Sequence, residues 1–178
     1  MKPSIHQFLP TQSSPPSFLV PWIACQASLT EKLKAVAGQA NIEVLAQHWQ
    51  LADWWDQQVL HLERQVVFRR EIIMRSEETS CWYARTIIPE TTYEANTPLF
   101  NRLKTESLGV LIFNEDAIKR VQLIYYPITN KSIEYYWLKS ARKTEVNILW
   151  LRLSTLMLDV YPFFLIEILL PGLERYSN

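Results

Sequence analysis

The amino-acid sequence predicts an α+β fold with one mainly antiparallel sheet, and three observations carry that prediction. Helical patterning is concentrated in the first half of the chain. Strand-like runs then follow one another without the β-α-β rhythm that a parallel sheet needs. Finally, 48% of the 178 residues are hydrophobic, which suits a single domain over residues 1–178 with a full core.

The elements follow in order. Residues 1–18, rich in Pro, Ser and Gln, are expected to form an extended arm whose apolar side chains can dock. In SLTEKLKAVAG, Ser28 and Glu31 frame a capping box, and Leu29, Leu33 and Val36 fall on one face. Gly38 is a ready stop, so the segment reads as a short amphipathic helix. NIEVLAQHW at 41–49 reads as a strand, while residues 50–65 are ambiguous between helix and loop. The paired Trp54 and Trp55 there are expected to pack rather than to form a binding cage.

Residues 66–74, VVFRREIIM, alternate, with Val66, Phe68, Arg70, Ile72 and Met74 on one face. A polar turn at 75–79 leads to CWYARTIIP at 81–89, giving a hairpin whose second strand has Arg85 as its only charge. Thr97 and Pro98 open a short helix running to Leu103. In TESLGVLIF, Thr105 or Ser107 can cap a helical turn, and Gly109 lets a ligand approach the backbone. KRVQLIYY at 119–126, SIEYYWL at 132–138 and NILWLRLSTLML at 147–158 read as further strands. A turn at 159–162 then leads to FFLIEILL at 163–170.

Composition excludes several classes of function. The formal net charge is +0 with Lys and Arg scattered, so nothing marks a nucleic acid or an anionic membrane as partner. The apolar runs are too short for a membrane span. Pro10, Pro15 and Pro16 break any secretion-signal core, so a cytoplasmic location is expected, or plastid stroma if the gene is organellar. Cys25 and Cys81 have no metal or redox spacing and are expected to be core thiols. Only three glycines occur, Gly38, Gly109 and Gly172, too few and too dispersed for a nucleotide-cradling loop. His6, His48 and His61 are far apart and no HExxH is present, so neither a metal nor a nucleotide cofactor is expected.

Three charges interrupt strands otherwise built for burial: Arg70, Arg85 and Glu167. Taken singly, each is as well explained by a structural ion pair or by snorkelling at a sheet edge. Together they suggest a cavity for a small carboxylic acid, because a buried guanidinium offers a planar fork that fits a carboxylate. Leu108, beside Gly109, can lend its backbone amide to the same ligand, although for this motif alone a plain helix cap with a core leucine is the better account.

Several motifs then add up to a resemblance. RREI at 69–72, RTIIP at 85–89, SLG and LIF within 107–113, WLRLS at 150–154 and IEILLP at 166–171 resemble the chorismate lyase family, as does SLTEKL at 28–33. The resemblance spans about Trp22 to Pro171 and implies a six-stranded antiparallel sheet, with helices and flaps over one enclosed ligand site. It further implies cleavage of chorismate to 4-hydroxybenzoate and pyruvate without metal or cofactor, with ligand contacts at Leu29, Arg70, Leu108 and Glu167. On that reading Arg70 and the Leu108 amide, with help from Gly109 and Arg85, hold the ring carboxylate. Glu167, kept protonated by its apolar strand, then serves as general acid or hydrogen-bonds the emerging phenol.

The sequence departs from the family at Leu153, where a second arginine is usual, and in a longer 126–148 segment that leans toward the cyanobacterial and plastid branch. The implied partners are the small-molecule substrate and product, the chain is expected to act as a monomer, and the product is expected to feed plastoquinone or ubiquinone formation. The alternative is a non-catalytic sensor of small aromatic acids, since the same fold serves as the effector domain of some transcription regulators. The absence of a basic recognition helix and of room for a DNA-binding domain weighs against it.

Overall fold

A computed structural model describes residues 14–114, 116–138 and 146–177. Most of the expected arm, residues 1–13, lies outside them. The remainder is wound rather than extended: Ser17–Leu19 form a 3₁₀ turn that runs into α1 (Val20–Ile23), whose Trp22 and Ile23 are buried. The next helix, α2 (Leu29–Ala37), begins and ends as its sequence dictates. Ser28 Oγ accepts a hydrogen bond from the Glu31 amide at 3.2 Å, and Gly38 closes the helix at φ 79°. Leu29 and Leu33 enter the core, whereas Val36, the third member of the expected apolar face, is 52% exposed.

β1 (Asn41–Leu51) leads to α3 (Trp54–Val59). This helix settles the ambiguity of residues 50–65 through a reciprocal capping box between Asp53 and Asp56. β2 (Val66–Ser76) and β3 (Thr79–Pro89) form the expected hairpin, turning at Glu77 with φ 50°. A helix that the sequence reading did not separate, α4 (Glu90–Ala95), precedes α5 (Thr97–Asn101), which Asn96 caps through the Leu99 amide. Ser107 Oγ accepts from the Val110 amide at 3.2 Å and starts α6 (Leu108–Asn114).

β4 (Ile118–Thr129) follows, and then the expected strand at 132–138 proves to be a 3₁₀ helix, Ile133–Leu138. The reason is visible in its burial: Tyr135 and Leu138 point inward while Ile133 and Tyr136 face solvent. That period of three overrides the strand preference of the aromatic run. β5 (Ile148–Leu158) and β6 (Tyr161–Leu169) close the fold through a turn with Asp159 at φ 53°.

All strand pairings are antiparallel, in the order β1-β2-β3-β6-β5-β4. Both faces of the sheet are covered. On the first, Leu29, Tyr93, Phe100, Leu111 and Leu173 pack onto alternate strand residues such as Phe163, Leu165 and Leu169. On the second, Trp55, Tyr135 and Leu138 pack onto Phe164, Ile166 and Ile168. β6 is therefore dry on both sides, as its sequence requires.

Candidate ligand pocket on the first face

Strand alternation and register bring the pocket residues together. Arg70 lies opposite Thr86 on β3, and Glu167 of β6 lies between Ala84 of β3 and Arg152 of β5. These side chains share the first face, where the beginnings of α2 and α6 roof them over. The pocket between them has about 470 Å³ of space not filled by protein atoms, counted with its opening to solvent. Its lining includes Leu29, Arg70, Leu108, Gly109, Arg152 and Glu167.

Gly109 is there for closeness. A Cβ at this position would stand 2.9 Å from Ser28 Oγ and 3.1 Å from Thr30 Oγ1. Ser28 Oγ cannot yield without losing the cap of α2, so any larger residue would push α6 off the roof.

Arg70 is the exceptional charge. It is 2% exposed, it forms no hydrogen bond or ion pair with any described residue, and its Nε is among the buried donors that lack an acceptor. Burial alone lowers its pKa, with no neighbouring carboxylate acting against that effect. A guanidinium in that condition is costly to bury unless an anion arrives from outside.

Glu167 is buried too, and here the structure corrects the sequence. The expectation was a lone acid kept protonated by apolar neighbours. Instead, Arg152 Nε sits 2.8 Å from Glu167 Oε2, and Arg152 itself is fully buried. The other guanidinium nitrogens of Arg152 donate to the Trp22 carbonyl at 2.7 Å and the Cys25 carbonyl at 3.0 Å, tying the α1–α2 connection to the sheet. Contact between Arg152 Nε and Glu167 Oε2 lacks hydrogen-bond alignment, so Oε2 retains a lone pair for another donor.

Two residues escaped the sequence reading: Arg152 and Arg120. Arg152 sits in the quoted WLRLS motif at an alternate position with Trp150 and Ser154, the signal that could have found it. Arg120 lines the pocket from β4 and donates to the Gln26 carbonyl at 2.7 Å.

Arg85 requires the opposite correction. It does not line the pocket; its partner in sequence, Thr86, does. Alternation sends Arg85 to the second face, where it meets Glu71 at 2.7 Å and Tyr83 Oη at 3.1 Å and lies 3.6 Å from the Trp137 ring centroid. That is a structural charge with its own acid. Among the described residues no group of His, Cys, Asp and Glu is arranged to hold a metal ion, and no helix is long and apolar enough to cross a membrane.

Comparison with known proteins places these features in context. A family model described as chorismate lyase matches residues 7–176. A Nitrosomonas eutropha protein named a probable chorismate pyruvate-lyase is 27% identical, over 93% of this chain and 94% of its own length. A protein of the same name from Shewanella frigidimarina is 28% identical, over 98% and 93%. Among solved structures, the effector domain of PhnF from Mycobacterium smegmatis superposes with a TM-score of 0.53 at 19% identity, covering 82% of this chain and 89% of its own. A GntR-family transcriptional regulator from Bacillus cereus gives 0.53 at 12% identity, covering 74% and 92%. At such identities the structural likeness speaks for the fold alone.

Proposed function

This chain belongs to the chorismate lyase family, and from that premise we propose that it cleaves chorismate to 4-hydroxybenzoate and pyruvate in the pocket beneath α2 and α6. The observation that carries the reading is Arg70, a buried cation with no counter-ion among the described residues, lining a pocket shared with Leu108, Gly109 and Glu167. Cleavage makes the ring aromatic and is downhill, so the protein has mainly to grip the substrate and fix its geometry.

In this reading Arg70 takes the ring carboxylate in a bidentate pair, with the Leu108 amide alongside and Leu29 and Gly109 shaping the wall. Arg70 and Glu167 lie two strands apart and two residues out of register, roughly 11–12 Å between backbones. Side chains reaching inward shorten that span toward the length of a para-hydroxybenzoate. Glu167, with Oε2 open to a donor, accepts a hydrogen bond from the hydroxyl opposite the ring carboxylate, and Arg152 holds the carboxylate in place. Its role is orientation rather than delivery of a proton. Substrate and product are small, water-soluble acids, which suits a monomer acting in the cytoplasm and supplying a quinone-forming route.

The test is direct. Incubated with chorismate, the purified protein is expected to release 4-hydroxybenzoate and pyruvate in equal amounts. Binding without products would assign the pocket to a sensor of aromatic acids instead, and neither binding nor products would end both readings.

A further inference from the structure

We propose that the Thr86 hydroxyl donates to the ring carboxylate of the substrate, completing a carboxylate site with Arg70 and the Leu108 amide. The inference rests on the reading above and adds to it a binding residue on the floor of the pocket.

Register is the first argument. β3 lies between β2 and β6. Arg70 of β2 pairs with Thr86, and Glu167 of β6 pairs with Ala84. A guest that reaches from Arg70 to Glu167 therefore crosses β3 between Thr86 and Ala84, both of which line the pocket. Thr86 belongs to the Arg70 end of that path, because residues directly paired across strands hold their Cβ atoms about 4.5–5.5 Å apart. Ala84, at the Glu167 end, offers only a methyl group and leaves the floor low beneath the ring.

An unanswered hydroxyl is the second. Thr86 is 3% exposed, and its side chain makes no hydrogen bond with any described residue. Valine would suit the strand equally well, with the same branched shape and no hydroxyl to take out of water. Thr92 shows how a structural threonine is treated: fully buried, its Oγ1 donates to the Pro162 carbonyl at 2.7 Å. Ser28 and Ser107, which also line the pocket, are engaged by the amides of Glu31 and Val110 at the starts of α2 and α6. Ser76 and Ser154 lack partners too, but neither lines the pocket. A buried hydroxyl without a partner is costly, and that of Thr86 stands directly across from a guanidinium in the same condition.

The ligand has a place for such a donor. A carboxylate accepts at about four lone-pair sites. A bidentate guanidinium takes two and the Leu108 amide a third, so one is left for a hydroxyl on the floor. Substrate and product carry the same ring carboxylate, so the contact is made equally before and after cleavage. Its loss should then raise KM without lowering kcat.

Thr86→Val, which keeps the shape and deletes the donor, and Thr86→Ser, which keeps the donor, test this. In Thr86→Val the Kd for 4-hydroxybenzoate, the Kd for benzoate and the KM for chorismate should rise together by about 10- to 100-fold. In the same variant kcat should stay within about twofold of wild type, and Thr86→Ser should hold all three constants within about threefold. Weakening of 4-hydroxybenzoate that spares benzoate would put Thr86 at the hydroxyl end of the ligand, and unchanged binding would leave it a plain core residue; either result overturns the proposal. So does a clear fall in Tm of Thr86→Val, because deleting a buried hydroxyl that has no internal partner should leave Tm unchanged or higher. Should the wild type bind both benzoates, and Thr86→Val lose them, without turnover of chorismate, the lyase reading falls and the carboxylate site stands. Turnover by the wild type with unchanged binding in Thr86→Val leaves the lyase reading and removes this one.

Discussion

Arg69 and Arg70 are adjacent in β2 and project to opposite faces of the sheet, and their surroundings differ in one respect: among the described residues only Arg69 meets acids. Its guanidinium lies 2.7 Å from both Asp53 and Asp56. Burial works against its charge, but the two carboxylates outweigh burial and leave its pKa raised. For Arg70 burial acts unopposed and the pKa is lowered. The second face repeats the Arg69 pattern elsewhere: Arg85 has Glu71, and buried Glu134 accepts from Trp55 Nε1 at 2.8 Å and Tyr126 Oη at 3.2 Å. Where the fold supplies the partner, the charge is structure; where it withholds one, the charge is available to a ligand.

The largest effect should come from removing the unanswered charge. Arg70→Met fills similar volume without a cation, and is expected to reduce kcat/KM for chorismate by about 10²- to 10³-fold, as losing one half of a buried charge pair does. The same variant should melt at or above the wild-type temperature, because it relieves an uncompensated buried charge. A clear drop in Tm would break the comparison, since it would mean that Arg70 has an internal structural role. Asp56→Ala is the mirror experiment. It strips the buried acid from Arg69 and should cost about 3 kcal/mol of stability in a denaturant titration, while kcat/KM of the folded protein stays close to normal.

A smaller effect is expected at Glu167, where the first face has a partner of its own. Glu167→Gln keeps the shape and an acceptor oxygen but leaves Arg152 without its counter-charge. A loss of about 10- to 100-fold in kcat with little change in KM is the expectation for a weakened charged hydrogen bond in the reacting complex. Near-normal turnover would remove Glu167 from the chemistry and leave Arg70 to act with the roof residues.

How much of this was legible in the sequence depended on how wet each strand is. Arg70 and Glu167 were legible because each breaks an apolar alternation, and the structure puts both in one pocket. The six strand positions were mostly legible for the same reason. Arg85 was misassigned because β3 is buried on both faces, so nothing local says which parity faces the pocket. That follows only from its register with β2, where an irregularity at Met74 and Arg75 shifts the pairing near the turn. Arg152 was missed for a related reason: β5 is apolar on both sides, and only pairing with β6 sets it opposite Glu167. The 132–138 segment was misread as a strand because its aromatic run looks extended, while its inward residues recur every third position against the second core.

The finest test of the comparison lies in that segment. Trp55 Nε1 gives Glu134 one of its two side-chain donors, and the Trp55 ring also stands edge-on to Trp137 with centroids 4.9 Å apart. Trp55→Phe retains most of the ring contact and deletes the donor. Glu134 then depends on Tyr126 alone, in surroundings that are 8% exposed. A net loss of about 1.5 kcal/mol is expected for one hydrogen bond to a buried charge, which in a chain of this size lowers Tm by roughly 3–6 °C. Because Trp55 and the 133–138 helix lie across the sheet from the pocket, kcat and KM should both stay within about twofold of wild type, as distant sites act independently. A matching fall in activity would mean that the two faces are coupled through β3 and β6, and that the partnered charges of the second face help to hold Arg70 in its unpartnered state.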